Sequence, residues 1–96
     1  MTNTFHMKPS DFERSAEILR ALAHPMRLRI VQQLLTKKSM NVSDLHQSLK
    51  LPQSTVSQHL SKLKSHKVVS YNRKGLEVYY QVVDTKVRQT MKTLAF

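Results

Sequence analysis

The sequence predicts a mainly helical α+β domain in the order α-α-α-α-β-β-α, built to work as a homodimer. Three observations carry that reading. Apolar residues recur at helical spacing through most of the chain, the period changes to alternation between Val68 and Val82, and the single glycine, Gly75, falls between the two alternating runs. One glycine and three prolines leave little for long loops, and there is no internal repeat or low-complexity tract. A chain of 96 residues forms one domain with a modest core, so a second copy is a natural source of further burial.

Residues 1–9 show no periodicity and are expected to form a flexible N-terminal segment, with Phe5 and Met7 able to lie against a dimer partner; the folded domain is expected over 10–96. Ser10-Asp11-Phe12-Glu13 has the form of a capping box and should start the first helix. Within it Phe12, Ala16, Leu19 and Ala23 recur at i, i+4, i+7 and i+11, and Ile18 and Leu22 form an adjacent stripe. That arc is wide enough to serve both a core and a partner subunit.

Pro25 suits the first turn of a second helix, with His24 at its boundary, Leu28, Ile30, Val31, Leu34 and Leu35 inward, and Arg27, Arg29, Gln32, Gln33, Lys37 and Lys38 on the wet face. Asn41 is a strong N-cap for a third helix carrying Val42, Leu45 and Leu49, too short to stand without tertiary packing. Leu51-Pro52-Gln53 makes a tight break before a fourth helix in which Val56, Leu60 and Leu63 share one side. Two short helices joined by about three residues form a helix-turn-helix. Val68, Val69 and Tyr71, then Leu76, Val78, Tyr80 and Val82, alternate as strands, with Asn72-Arg73-Lys74-Gly75 as the turn between them. Gly75 supplies the positive φ such a tip needs. Asp84 or Thr85 caps a last helix with Val87, Met91 and Leu94 on one side, ending at Phe96. A helix-turn-helix followed by a hairpin is a winged helix-turn-helix.

The formal charge of +10 and pI near 10.3 favour a negatively charged partner. Nucleic acid is the commonest, and a membrane surface also fits. Residues 1–24 are balanced, Lys8, Arg14 and Arg20 against Asp11, Glu13 and Glu17, so the whole excess lies in 25–96. From Lys50 to Lys74 there are six basic residues and no acid. The absence of cysteine excludes disulfides, thiolate metal sites and thiol redox switching. No signal peptide is visible and no apolar run approaches the ~18 residues of a membrane span, which points to a soluble intracellular protein.

On the fourth helix Ser54, Ser57, Gln58, Ser61 and Lys62 face away from the core side, with Gln53 and Thr55 near the start. Such a face is either a solvated polar surface or a surface for a DNA major groove, where Ser and Gln reach base edges and the helix N-terminus attracts phosphate. The preceding short helix and the basic hairpin favour the second. Arg73 and Lys74 either keep an edge soluble or touch phosphate; Lys62 and Lys64 are phosphate candidates, and Lys67 serves either phosphate or its own helix end.

Three segments, Leu22-Ala23-His24-Pro25-Met26-Arg27-Leu28, Leu51-Pro52-Gln53-Ser54-Thr55-Val56-Ser57-Gln58-His59-Leu60 and Gly75-Leu76-Glu77-Val78-Tyr79-Tyr80, resemble the ArsR/SmtB family of winged-helix repressors. The resemblance covers roughly residues 12–94 and is nearest to the PagR-type subgroup, which shares the His-Pro-Met-Arg and Leu-Pro-Gln-Ser-Thr segments. It implies a bacterial, cytoplasmic, nucleoid-associated repressor that binds double-stranded DNA as a homodimer on an imperfect palindromic operator. Contact with DNA is implied for Gln53, Ser54, Thr55, Ser57, Gln58, His59 and Lys62, with Arg73 and Lys74 assisting from the wing. For His59, edge packing and phosphate contact remain equal alternatives. Dimerisation through the first and last helices is implied, with Phe12, Ala16, Leu19, Leu22, Val87, Met91 and Leu94 as the expected interface.

Two metal sites of the family can be compared residue by residue. Soft-metal sensors carry Cys-x-Cys where this chain has Asn41-Val42-Ser43, and zinc sensors carry Asp-x-His and a later His-x-x-Glu where it has Asp84-Thr85-Lys86 and no later histidine or acid. His6, His24, His46, His59 and His66 have no cluster spacing. No metal, cofactor or membrane is therefore expected as a partner. An enzyme is not expected either: Ser57 and His59 point about 200° apart on a helix, and neither paired carboxylates nor a glycine-rich phosphate loop occurs. A winged-helix module docking an acidic protein, and a sequence-blind architectural DNA-binding protein, are the competing readings.

Overall fold

The computed structural model describes residues 6–95. The expectations for residues 1–5, including a contact by Phe5, and the helix end at Phe96 lie outside them. Helix α1 (Pro9–Leu22) starts just before the anticipated Ser10–Glu13 box, because Pro9 occupies the first helical position with its φ already set. Lys8 is the N-cap, and its backbone N–H donates to Asp11 Oδ2 at 3.0 Å, so Asp11 rather than Glu13 closes the helix start.

Helix α2 (Pro25–Lys37) is capped by His24, whose Nδ1 accepts from the Met26 N–H at 3.1 Å. Asn41 caps α3 (Val42–Leu49) as expected, Oδ1 accepting from the Asp44 N–H at 2.7 Å. Helix α4 (Gln53–Ser65) follows the Pro52 break, and Asp84 caps α5 (Thr85–Leu94) by accepting from the N–H groups of Lys86 and Val87.

The sheet holds more than the expected hairpin. Strand β1 (Met40–Asn41) precedes α3, and with β2 (Ser70–Lys74) and β3 (Glu77–Gln81) it makes a three-stranded antiparallel sheet in the order β1-β3-β2. Met40 lies opposite Tyr80 and Asn41 opposite Tyr79. Two residues are too few for an alternation signal, which is why the sequence pattern missed β1.

The hairpin tip is also shorter than anticipated. Asn72, Arg73 and Lys74 belong to β2, and Lys74 pairs with Glu77 across the ladder, leaving only Gly75-Leu76 as the turn. Gly75 takes φ +64°, and Leu76, expected within a strand, stands 96% exposed at the tip.

Three lysines take positive φ, where glycine is usual: Lys38 (φ +74°), Lys50 (φ +56°) and Lys67 (φ +58°). The last two end their helices in Schellman motifs. Leu51 N–H donates to the His46 carbonyl and Lys50 N–H to that of Gln47 after α3; Val68 N–H donates to the Leu63 carbonyl and Lys67 N–H to that of Lys64 after α4. Lys67 thus closes its helix through its backbone.

One core unites every helix. Ile18, Ala21 and Leu22 of α1, Ile30, Val31 and Leu34 of α2, Leu45 and Leu49 of α3, and Val56, Leu60 and Leu63 of α4 are buried with Val68, Val82 and Val87. Burial of each Leu, Ile or Val contributes about 1.5–3 kcal/mol, which is what holds α3 helical despite its eight residues. The Cα radius of gyration is 14.5 Å, larger than the ~12–13 Å of an equally long compact chain, and the extents of 52 × 28 × 20 Å describe an elongated body.

Candidate nucleic-acid interface

Helix α4 is amphipathic in the sense the sequence requires. Val56, Leu60 and Leu63 are buried beneath it, Gln53, Ser54, Gln58, Ser61 and Lys62 are exposed, and Thr55, Ser57 and His59 are half-buried along its flanks. Among the described residues, the side chains of Gln53, Ser54, Thr55, Ser57 and Gln58 take no intramolecular hydrogen bond. Their donors and acceptors are free for an outside partner. The N-cap is Pro52, which offers no side-chain cap, so the first amides of α4 are likewise open.

His59 is less available. Its ring centroid lies 4.5 Å from that of His24, the α2 cap, with the rings tilted by 54°. Burial, followed by the proximity of His24 and of Arg27, holds the His59 imidazole below its ordinary pKa and therefore favours its neutral form. The Arg27 guanidinium contributes a buried Nε without a hydrogen-bond partner beside this pair.

The wing carries Arg73 and Lys74, both exposed, at the end of β2. Lys74 Nζ lies 5.5 Å from the Tyr79 ring centroid, and Lys64 Nζ lies 4.4 Å over the Tyr71 ring, tying the end of α4 to β2. Lys62 is exposed and has no ion pair among the described residues. The acidic residues lie mostly elsewhere: Glu17 and Asp84 bind Arg14, and Asp11 sits 3.6 Å from Lys86. Glu77 is the acid nearest the wing tip in sequence, and its Oε2 accepts from Asn41 Nδ2 at 3.1 Å.

The residues expected at a dimer interface divide. Phe12, Leu19 and Leu94 are 59%, 60% and 62% exposed, large apolar groups left in water by their own chain. Ala16 and Met91 are half-buried. Leu22 and Val87, expected on the same face, are instead buried in the chain's own core, 3% and 0% exposed. Val83, 71% exposed just before α5, was not anticipated since it follows the last alternating residue.

A helix-turn-helix domain family matches residues 22–71. The transcriptional repressor PagR of Bacillus anthracis is 52% identical over 82 residues, covering 85% of this chain and 82% of its own. The chain belongs to the ArsR/SmtB family. A SmtB homologue of Synechocystis is 36% identical over 86% of this chain and 62% of its own. The PagR crystal structure superposes with a TM-score of 0.85 at 49% identity, covering 91% of this chain and 99% of that one. NolR from Sinorhizobium fredii gives 0.79 at 34% identity over 99% and 94%. The fold is thus the winged helix-turn-helix of a DNA-binding ArsR/SmtB-type transcriptional repressor, and its relatives are regulators rather than enzymes.

In the two segments compared above with metal sites of the family, Asn41 and Asp84 serve as helix caps. Asn41 caps α3 and reaches Glu77, while Asp84 divides its oxygens between Arg14 and the amides of α5. Among the described residues no three His, Asp or Glu side chains gather closely enough for a metal, and no helix is long and apolar enough to cross a membrane.

Sequence reasoning missed Arg14. Its guanidinium bonds to Glu17, to the carbonyls of His66 and Lys67, and to Asp84. The i, i+3 spacing signals only Glu17; the other partners lie more than fifty positions away.

Proposed function

We propose that the chain represses transcription as a homodimer on an imperfect palindromic operator, in the bacterial cytoplasm at the nucleoid, without metal or cofactor. Each protomer lays α4 in a major groove. Ser54, Ser57 and Gln58 meet base edges, Gln53 and Thr55 with the open amides of α4 take phosphate, and Lys62, Arg73 and Lys74 bind backbone beside them. The supporting observation is that, among the described residues, the side chains of Gln53, Ser54, Thr55, Ser57 and Gln58 take no intramolecular hydrogen bond, in a stretch of sequence free of acids from Lys50 to Lys74. His59 contributes through packing against His24, with any phosphate contact made as a neutral hydrogen-bond donor.

The exposure of Phe12, Leu19 and Leu94, together with the elongated shape, supports pairing through α1 and α5. A groove of about 420 Å³ between α2 and α5, with Leu28, Leu35, Met91 and Leu94 among its lining, continues that apolar surface. Exposed apolar groups of this size are what an interface between subunits covers.

Selection of bound sequences from a random duplex pool, followed by titration of the selected site, tests the reading. The expected result is a two-fold symmetric site with half-site centres about one helical turn apart, bound with an affinity that falls steeply with salt, about 0.9 log units per log unit of salt for each phosphate neutralised. Equal affinity for random duplexes would instead favour a sequence-blind architectural role, and absence of duplex binding a protein-docking module.

A further inference from the structure

The geometry points to Arg14 as the residue that sets the angle of α4 relative to the dimerising helices, and thereby the operator half-site spacing that the protein accepts. This inference rests on the dimeric reading above. One guanidinium joins three elements. From α1, Nη1 donates to Glu17 Oε1 at 2.7 Å and to the His66 carbonyl at 2.7 Å, while Nη2 donates to the Lys67 carbonyl at 2.9 Å and to Asp84 Oδ2 at 2.9 Å. His66 is the C-cap of α4, and Asp84 is the N-cap of α5. The end of the recognition helix is therefore bonded directly to the two helices through which the protomers are proposed to pair.

The rest of what holds α4 is less directional. Val56, Leu60 and Leu63 hold α4 against α2 and α3 by non-directional apolar burial, and Lys64 over the Tyr71 ring adds a looser contact with β2. A guanidinium is planar and presents its donors in a fixed fork, so two carbonyls and a carboxylate held at once define an orientation. The positive charge also lies at the C-terminal, negative end of the α4 dipole.

The clamp sits at one end of α4 and the base-reading residues at the other. Helix α4 has 13 residues, a length of about 20 Å, so a change of roughly 5° at the clamp moves Ser54 by about 1.5 Å. In a dimer the displacement is doubled by symmetry, to about one base-pair rise of 3.4 Å. A lost clamp would therefore blur spacing without touching any residue that reads a base.

The test measures wild type, Arg14→Lys and Arg14→Ala on a panel of duplexes carrying the selected half-sites at the selected spacing and at spacings changed by one and two base pairs. Dimer mass is checked in solution and folding by circular dichroism. Wild type is expected to lose about tenfold or more in affinity per base pair of altered spacing. Arg14→Ala is expected to bind all spacings within about threefold of one another while keeping the same base preference inside each half-site. Arg14→Lys keeps the charge but not the fork, should lie between the two, and decides the matter if the alanine variant does not fold. A wild-type spacing profile retained by folded variants, with affinity lowered equally throughout, would overturn the inference and leave the dimeric reading standing. A flat wild-type profile would overturn both.

Discussion

His24 and His59 face one another with ring centroids 4.5 Å apart, joining the cap of α2 to the middle of the recognition helix. The His24 nitrogen that accepts from Met26 can do so only without a proton. Burial, then the neighbouring His24 and Arg27, lower the His59 pKa in the folded chain. The unfolded chain therefore binds this proton first as pH falls. The stability His59 contributes is fully present above its unfolded pKa of about 6.5 and is lost progressively below it. Urea midpoints measured at about pH 7.5 and about pH 5 should fall for wild type, and His59→Gln should reduce that fall. An unchanged fall in the variant would show that His59 does not titrate with folding.

Replacing Gln58 with alanine removes an exposed side chain proposed to read a base, without disturbing the buried side of α4. Affinity for the selected site should drop by about 1–3 kcal/mol, with relaxed preference at one position of each half-site. Competition with single-base variants of the site reads this directly. Lys74→Ala should act differently, weakening every sequence alike and reducing the salt slope by about one unit.

The helix ends offer a test in the opposite direction. Lys50 and Lys67 hold positive φ in Schellman motifs, a conformation that costs an L-residue roughly 1–2 kcal/mol. Lys50→Gly or Lys67→Gly should raise stability by about 0.5–1 kcal/mol in chemical denaturation, the gain being reduced by the entropy glycine carries when unfolded. Gly75→Ala should lower it by a similar amount through backbone strain alone, since no atom lies within 4 Å of the added methyl position.

Exposed and buried leucines should separate folding from assembly. Leu60 is 1% exposed and Leu19 60%. Leu60→Ala should cost about 2–5 kcal/mol of stability. Leu19→Glu should leave a folded chain that sediments as a monomer and binds a single half-site weakly; a Leu19→Glu dimer with wild-type affinity would contradict pairing through α1.

Periodicity suffices for all five helices described because each carries an apolar stripe that recurs every three or four residues, as with Val56, Leu60 and Leu63. The outward face of α4 was legible for the same reason: what is not beneath the helix must be above it. Elements defined by distant partners were not. Strand β1 exists because Met40 meets Tyr80, the hairpin tip moves to Gly75-Leu76 because Lys74 meets Glu77, and Arg14 acts through residues 66, 67 and 84. Leu22 and Val87 show the same limit, since an apolar stripe does not say which of its members face the chain's own interior.

The pairing of Met40 with Tyr80 encloses everything between them, so α3, α4 and the hairpin are spliced into one closed circuit of chain. A fragment trimmed to residues 22–71, the span that matches the domain family, would retain the first rail of that circuit and discard the second. It would also lack Val82 and Val87 from its interior. Such a piece should refold poorly, having lost the long-range pairing that closes the circuit.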